Sequence, residues 1–161
     1  MLRYCRTCVM PSTKPDLAFN EHGICSACVY YARRPEIDWE ARREEFLSIV
    51  DRYGSKNNSV WDVIVPIRGG KDSTFQVIKL LEMGLNPLGV VATTCHLSEI
   101  GRKNIQNIRE LGVDIYEVSS NPVIRRKLNR IGLEQVGDIS WPEHCSIFTI
   151  PVRVAVETGV R

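Results

Sequence analysis

The sequence has no long hydrophobic run. Its longest apolar stretches, at 63–67 and 88–92, fall far short of the roughly 20 residues needed to cross a bilayer, so no membrane span is expected. The opening Met1-Leu2-Arg3-Tyr4-Cys5 lacks the apolar segment of a secretory leader, and the expected location is the cytoplasm. A dominant charge is missing too. Twenty-one basic against 19 acidic residues leave a formal charge of +2, no strong field toward nucleic acid or anionic lipid. There is no low-complexity tract and no internal repeat. Two common nucleotide-binding signatures are absent: G-x-G-x-x-G does not occur, and G-x-x-x-x-G-K-[ST] fails because Val65 holds the first glycine position and Asp72 follows Lys71.

What remains is an ordinary globular composition, 43% hydrophobic and 25% charged over 161 residues. That length suits one domain with a core, or a small module joined to a modest domain. Residues 1–35 are rich in Cys, Pro, Gly and Asn and show neither helical nor alternating periodicity, as in a loop-rich module whose stability comes from elsewhere. Asp38 is placed to cap a helix from Trp39 to about Tyr53, with Gly54 as its stop, and 36–58 reads as a linking segment.

From residue 59 onward strands and helices alternate. Expected strands cover Trp61 to Ile67, Pro87 to Thr94 and Asp114 to Val118. Expected helices cover Ser73 to Met83, Ser98 to Leu111, Pro122 to about Gln135, and Ile150 to Thr158. Such alternation predicts an α/β fold with a doubly wound parallel sheet over 59–161. The last helix calls for a following strand, so the α/β domain is expected to be C-terminally incomplete.

Six cysteines in a reducing compartment point to metal or catalysis before disulfides. Cys5-Arg-Thr-Cys8 and Cys25-Ser-Ala-Cys28 have the ligand count and spacing of a tetrahedral zinc ribbon. A pair of redox dithiols is the alternative, but two matched knuckles outside a thioredoxin-like βαβ unit favour a structural Zn²⁺. Cys95 and Cys145 are single thiols beside His96 and His144, and read as incidental rather than nucleophilic.

The second constellation is Arg68-Gly69-Gly70-Lys71-Asp72-Ser73, between an expected strand and helix. Backbone amides at such a junction point outward, the helix dipole favours an anion, and glycines permit close approach and positive φ. Lys71, Ser73 and Arg68 add charge and hydrogen bonds. The alternative is a tight turn with Asp72 or Ser73 as an N-cap. Basic clusters at Arg33-Arg34, Arg42-Arg43 and Arg125-Arg126-Lys127 read as solvated helix faces, against nucleic acid as a partner.

The strand-[S]-G-G-x-D-S-helix pattern resembles the pyrophosphate loop (PP-loop) of the ATP pyrophosphatase superfamily, with Arg68 in place of the usual Ser. More of the chain is similar to the N-acetyl sugar amidotransferases of bacterial surface-polysaccharide synthesis. The similarity is carried by Cys5-x-x-Cys8-Val9-Met10-Pro11, the Cys25 to Cys28 knuckle, Ile37-Asp38-Trp39, Gly69-Gly70-Lys71-Asp72-Ser73 and Gly137-Asp138-Ile139-Ser140-Trp141-Pro142-Glu143-His144. Members of that family are longer.

This resemblance implies a Rossmann-like ATP-binding domain behind a zinc ribbon. The implied reaction converts an acetamido group, often on a nucleotide-linked sugar, to an acetamidino group through an adenylylated intermediate. ATP and Mg²⁺ would be required, with ammonia from a separate glutaminase subunit. Lys71, Asp72 and Ser73 would serve catalysis; Arg68, Gly69, Gly70, Lys71 and Ser73, with Ala92, Thr93 and Thr94, would bind ATP. Asp138, Trp141, Glu143 and His144 have the carboxylates and aromatic faces of a sugar-facing set; the alternative is that Trp141-Pro142 anchors a loop and His144 is a surface residue. Two other functions fit the motifs less fully: a PP-loop tRNA thiolase, which generally adds paired cysteines after the loop, and a non-catalytic zinc-ribbon interaction module.

Overall fold

A computed structural model describes residues 2–54, 59–93 and 97–160. The chain divides into two compact units, 1–48 and 49–161, with the division inside helix α2.

The first unit is short on hydrophobic core. Its buried apolar side chains, among the described residues, are Cys5 and Cys25 alone. Two small hairpins, marked by antiparallel bridges Tyr4 to Pro11 and Phe19 to Cys25, carry the two cysteine knuckles. Asn20 shapes the second: its side-chain oxygen accepts from the amides of His22 and Ile24 at 3.1 and 2.9 Å, an Asx turn. Helix α1, Ser26–Ala32, begins directly after Cys25. The composition of 1–35 hid this helix, because it lasts only two turns and buries nothing. A 3-10 turn, Arg34–Glu36, leads toward α2, Trp39–Tyr53. The Asp38 carboxylate accepts from the Ala41 amide at 2.9 Å, the expected N-cap. Arg33, Arg42 and Arg43 pair with Glu36, Glu45 and Glu40 on solvated faces, as their spacing implied.

The second unit is α/β, with a three-stranded parallel sheet in the order β1-β2-β3. Strands Val63–Pro66 (β1), Pro87–Thr93 (β2) and Asp114–Ser119 (β3) alternate with helices Lys71–Glu82 (α3) and Glu99–Glu110 (α4). Val65 lies opposite Gly89, and Val91 opposite Glu117. β2 is buried from Pro87 to Ala92, as befits a central strand covered on both faces. On one face Val65, Ile67 and Val91 pack with Val77 and Leu80 of α3 and Ile105 and Ile108 of α4. On the other, Leu88 and Val90 pack against Val154. Helices therefore cover both faces, as a doubly wound sheet requires.

Helices Pro122–Val136 (α5) and Trp141–Thr158 (α6) follow β3. The expected last helix began at about Ile150; α6 begins nine residues earlier, with Pro142 in its first turn and Pro151 inside it. Proline is tolerated in a first turn, where the amide has no intrahelical partner anyway. The interior Pro151 is buried, beside Val154, which packs against Leu88 and Val90 of the sheet. No helix of the described residues is long and apolar enough to cross a membrane.

Candidate functional site

The four knuckle cysteines converge. The sulfurs of Cys5, Cys8, Cys25 and Cys28 all lie within 4.8 Å of one another, with Cys5 to Cys28 at 3.9 Å and Cys8 to Cys25 at 3.6 Å. Four thiols in one cluster are placed to hold a metal ion such as zinc. The surrounding backbone already favours negative sulfur. The amides of Cys25 and Thr7 donate to Cys5 Sγ at 3.3 and 3.4 Å. The Cys25 amide is the largest influence on Cys5 and, against desolvation, draws its thiol down to about 6. Crowding does the opposite to Cys28: the neighbouring Cys8 sulfur, then burial, pushes its thiol up to about 12. Four close sulfurs cannot all be thiolate without a cation among them, and a divalent metal supplies that charge.

The glycine turn joins β1 to α3. Gly69 has φ +72°, and a Cβ there would meet the Gly101 carbonyl oxygen at 2.4 Å, so this position admits only glycine. Gly70 is different. It sits in extended backbone as the α3 N-cap, with open space where a Cβ would go. Positive φ is thus needed at one glycine of the pair, and the second keeps the approach to the helix end open. Because Gly70 has no side chain to cap α3, the first-turn amides of 71–73 are left for an outside acceptor.

Lys71 and Asp72 form an exposed pair at 2.6 Å. A surface pair of this kind is worth about 0–1 kcal/mol, so a phosphate group can displace the carboxylate from the ammonium. The hydroxyls of Ser73 and Thr74 donate back to the Gly70 carbonyl at 3.1 and 3.0 Å. Asp72 and Ser73 therefore do not cap the helix, as the simple-turn reading required.

Two residues that local sequence did not flag hold this loop. Gly101 of α4 receives Gly69 at close range, and Asn104, one turn on, donates to the Gly69 carbonyl at 2.7 Å. A cleft of about 70 Å³ opens beside the loop, lined by Pro66, Ile67 and Arg68 at the end of β1, Val90 and Ala92 of β2, and Ile147 and Pro151 of α6. Pro151 has no N–H, so the Ile147 carbonyl lacks its usual intrahelical donor at the cleft wall. A crevice outside the carboxyl ends of parallel strands is where open α/β sheets bind ligands.

The expected ATP set divides here. Ala92 joins Arg68 in the cleft, but Thr93 lies on the opposite face, its hydroxyl donating to Glu117 at 2.8 Å, because side chains alternate along a strand. Thr94, Cys95 and His96 lie outside the described residues.

The four residues expected to face a sugar lie around the α5–α6 turn. Asp138 is occupied structurally, its carboxylate accepting from the Ser140 amide at 2.8 Å. Trp141 and His144 are exposed one turn apart on α6, and Glu143 is half-buried between them in sequence. Cys145 is a half-buried free thiol. In the basic run of α5, Arg125 departs from the solvated face expected of it: it is 6% exposed, donating to the hydroxyls of Ser120 and Ser146 at 2.7 and 3.2 Å.

Comparison with protein-family models and with curated proteins gave no match.

Proposed function

We propose that this chain carries the nucleotide-binding part of an ATP-dependent amidotransferase acting on the acetamido group of an N-acetyl sugar. The observation that carries the ATP-binding half is the turn after β1. Gly69 takes a conformation only glycine permits, Gly70 leaves the α3 N-terminus without a side-chain cap, and Lys71 stands beside it. The cradle a Cβ would close is open, so the residues present fit a phosphate group. The amidotransferase half rests on the similarity of five separate motifs in one order, including the four-cysteine cluster and the 137–144 segment.

The chemistry explains the parts. An acetamido oxygen is a poor leaving group. Its attack on the α-phosphorus of ATP breaks the bond to the β,γ-diphosphate, releasing pyrophosphate and leaving an O-adenylyl imidate. Ammonia then adds to the imidate carbon and AMP departs, so a neutral amide becomes a cationic amidine. In this reaction the 71–73 amides and Lys71 would bind and stabilise the departing pyrophosphate charge, and Mg²⁺, when bound with ATP, would supply further positive charge there. Arg68, replacing the hydroxyl residue of the superfamily pattern, lines the cleft and adds a positive charge at its mouth. Ala92 with Ile147 and Pro151 offers apolar surface for the adenine. Trp141 and His144, presented together on the first turn of α6, offer a stacking face and a hydrogen-bonding edge to a sugar ring. The cysteine cluster reads as scaffold: Cys5, Cys8, Cys25 and Cys28 would supply all the ligands of a structural metal and leave no open position for catalysis. Ammonia is assigned to a separate glutaminase subunit.

The test is ATP–pyrophosphate exchange in the presence of UDP-N-acetyl sugars, on this chain and on any longer form. Sugar-dependent exchange supports the reading. ATP binding without any sugar-dependent exchange in the longer form rejects the amidotransferase and leaves a nucleotide-binding module.

A further inference from the structure

A second concave site of about 370 Å³ lies on the sheet face opposite α6, between α4 and β3. Arg102, Gln106 and Arg109 fall at i, i+4 and i+7 along one stripe of α4, with Lys103 beside them, and Glu117 of β3 faces them across the groove. Leu97 and Ile105 form an apolar floor.

Three cations thus share a pocket with one carboxylate, and that carboxylate is already committed. Glu117 accepts from Thr93 Oγ1 at 2.8 Å and lies 3.8 Å from Arg109. Arg102 and Lys103 have no ion-pair partner among the described residues. Both sit in the N-terminal half of α4, where the helix dipole opposes positive charge. Adjacent cations at the unfavourable end of a helix, concentrated in a concavity, are an arrangement that a bound anion relieves. The volume lies within the roughly 300–1,000 Å³ of small-molecule sites. Guanidinium forks and an ammonium are the groups that bind phosphate, and the Leu97–Ile105 floor suits an attached carbon skeleton.

We propose that this groove binds a small organic molecule that carries a diphosphate group. It is distinct from the turn after β1. Gly101 and Asn104, which hold that turn, are not among the residues that line the groove. The inference does not depend on the amidotransferase reading. A nucleic acid strand is disfavoured, since among the described residues the lining has no aromatic side chain on which successive bases could stack.

The experiment is a ¹⁵N–¹H NMR titration of the full chain with UDP, with pyrophosphate and with a single-stranded oligonucleotide. UDP is expected to give saturable shifts at the amides of Gln106, Arg109 and Glu117, with pyrophosphate moving the same amides. In the Arg102→Ser/Lys103→Ser variant the UDP affinity at these positions falls by about tenfold or more, while shifts at 69–73 keep their ligand dependence. Neither substituted residue holds an ion pair among the described residues, and the remaining spectrum serves as the check that the fold is intact. Absence of saturable shifts at 106, 109 and 117 up to about 10 mM UDP would overturn the proposal, as would unchanged affinity in the double variant. Tighter binding of the oligonucleotide than of UDP at the same amides would also overturn it, in favour of a nucleic-acid surface.

Discussion

Asn104 donates a 2.7 Å hydrogen bond to the carbonyl of Gly69 across 35 residues of sequence, tying the middle of α4 to the turn after β1. The bond holds the one residue of the turn with positive φ. Replacing Asn104 by Leu removes the donor and leaves the carbonyl half-enclosed, at a cost of about 1–2 kcal/mol. Gly69→Ala is harsher, because the new methyl meets the Gly101 carbonyl at 2.4 Å in a backbone region costly for alanine. Urea unfolding is expected to show both losses, with Gly69→Ala the larger, and ATP binding is expected to weaken in both. Wild-type ATP affinity in Asn104→Leu would show that the tether does not shape the phosphate cradle.

How far such features could be read in advance depends on their range. The strand–helix alternation was legible because each element has its own period and punctuation: Gly84 and Gly112 follow α3 and α4, and Asp38 and Ser98 precede helices. The paired knuckles gave the cysteine cluster by spacing alone. Asn104 and Gly101 were invisible because their partner is distant in sequence and neither breaks the period of α4. The start of α6 was missed because Trp141-Pro142 and Pro151 look like helix breakers, and only packing of Val154 and Pro151 on the sheet shows otherwise. Arg125 looked like its neighbours Arg126 and Lys127, and only its position on the α6-facing side of α5 separates it from them.

The first unit buries only two cysteines among its described apolar residues, so its order is expected to depend on metal. Cys25→Ser, or chelation, is expected to unfold residues 1–48 while the sheet unit persists, as seen by protection from proteolysis and loss of dispersed NMR signals confined to the first unit. Metal analysis of the purified chain is expected to give one zinc. Well under one equivalent, with a still protected first unit, would show that the cluster is held without metal.

Metal retention follows pH with a fixed sign. Cys28, pushed up to about 12, must lose a proton to become a ligand, whereas Cys5, drawn down to about 6, has already lost its own at neutral pH. Metal uptake therefore releases protons, and affinity falls as pH falls, with Cys5 joining the competition once pH approaches about 6. Zinc release to a chromophoric chelator is expected to rise steadily from about pH 8 to about pH 5. Release independent of pH over that range would contradict thiolate ligation.

Arg125 separates a structural from a functional role. Its guanidinium is buried with no carboxylate partner among the described residues: Nη2 donates to the hydroxyls of Ser120 and Ser146, while Nη1 has no partner there. Ser120→Ala removes one of the two hydroxyls that accept from Nη2, leaving Ser146 in place, and is expected to cost about 0.5–1.5 kcal/mol. Arg125→Met removes the buried charge altogether and is expected to be near neutral or stabilising in urea unfolding. If Arg125→Met is instead the more destabilising of the two, the guanidinium contributes to the α5–α6 packing more than its contacts account for.

Ala92 tests the cleft itself. It is 6% exposed and faces Ile147 and Pro151 beside Arg68, in a space of about 70 Å³. Ala92→Leu projects its added carbons into that space rather than into the packed layer under α3 and α4, because Ala92 shares its strand face with Val90 and not with Val91. The overpacking cost is expected to stay near the low end of about 1–3 kcal/mol, leaving the protein folded. Adenine-containing ligands are then expected to lose affinity while pyrophosphate, which the proposed function places at the α3 N-terminus, does not. That split is the decisive readout, since a variant that merely loosened the sheet would weaken both, and one that left ATP binding intact would place the adenine somewhere other than this cleft.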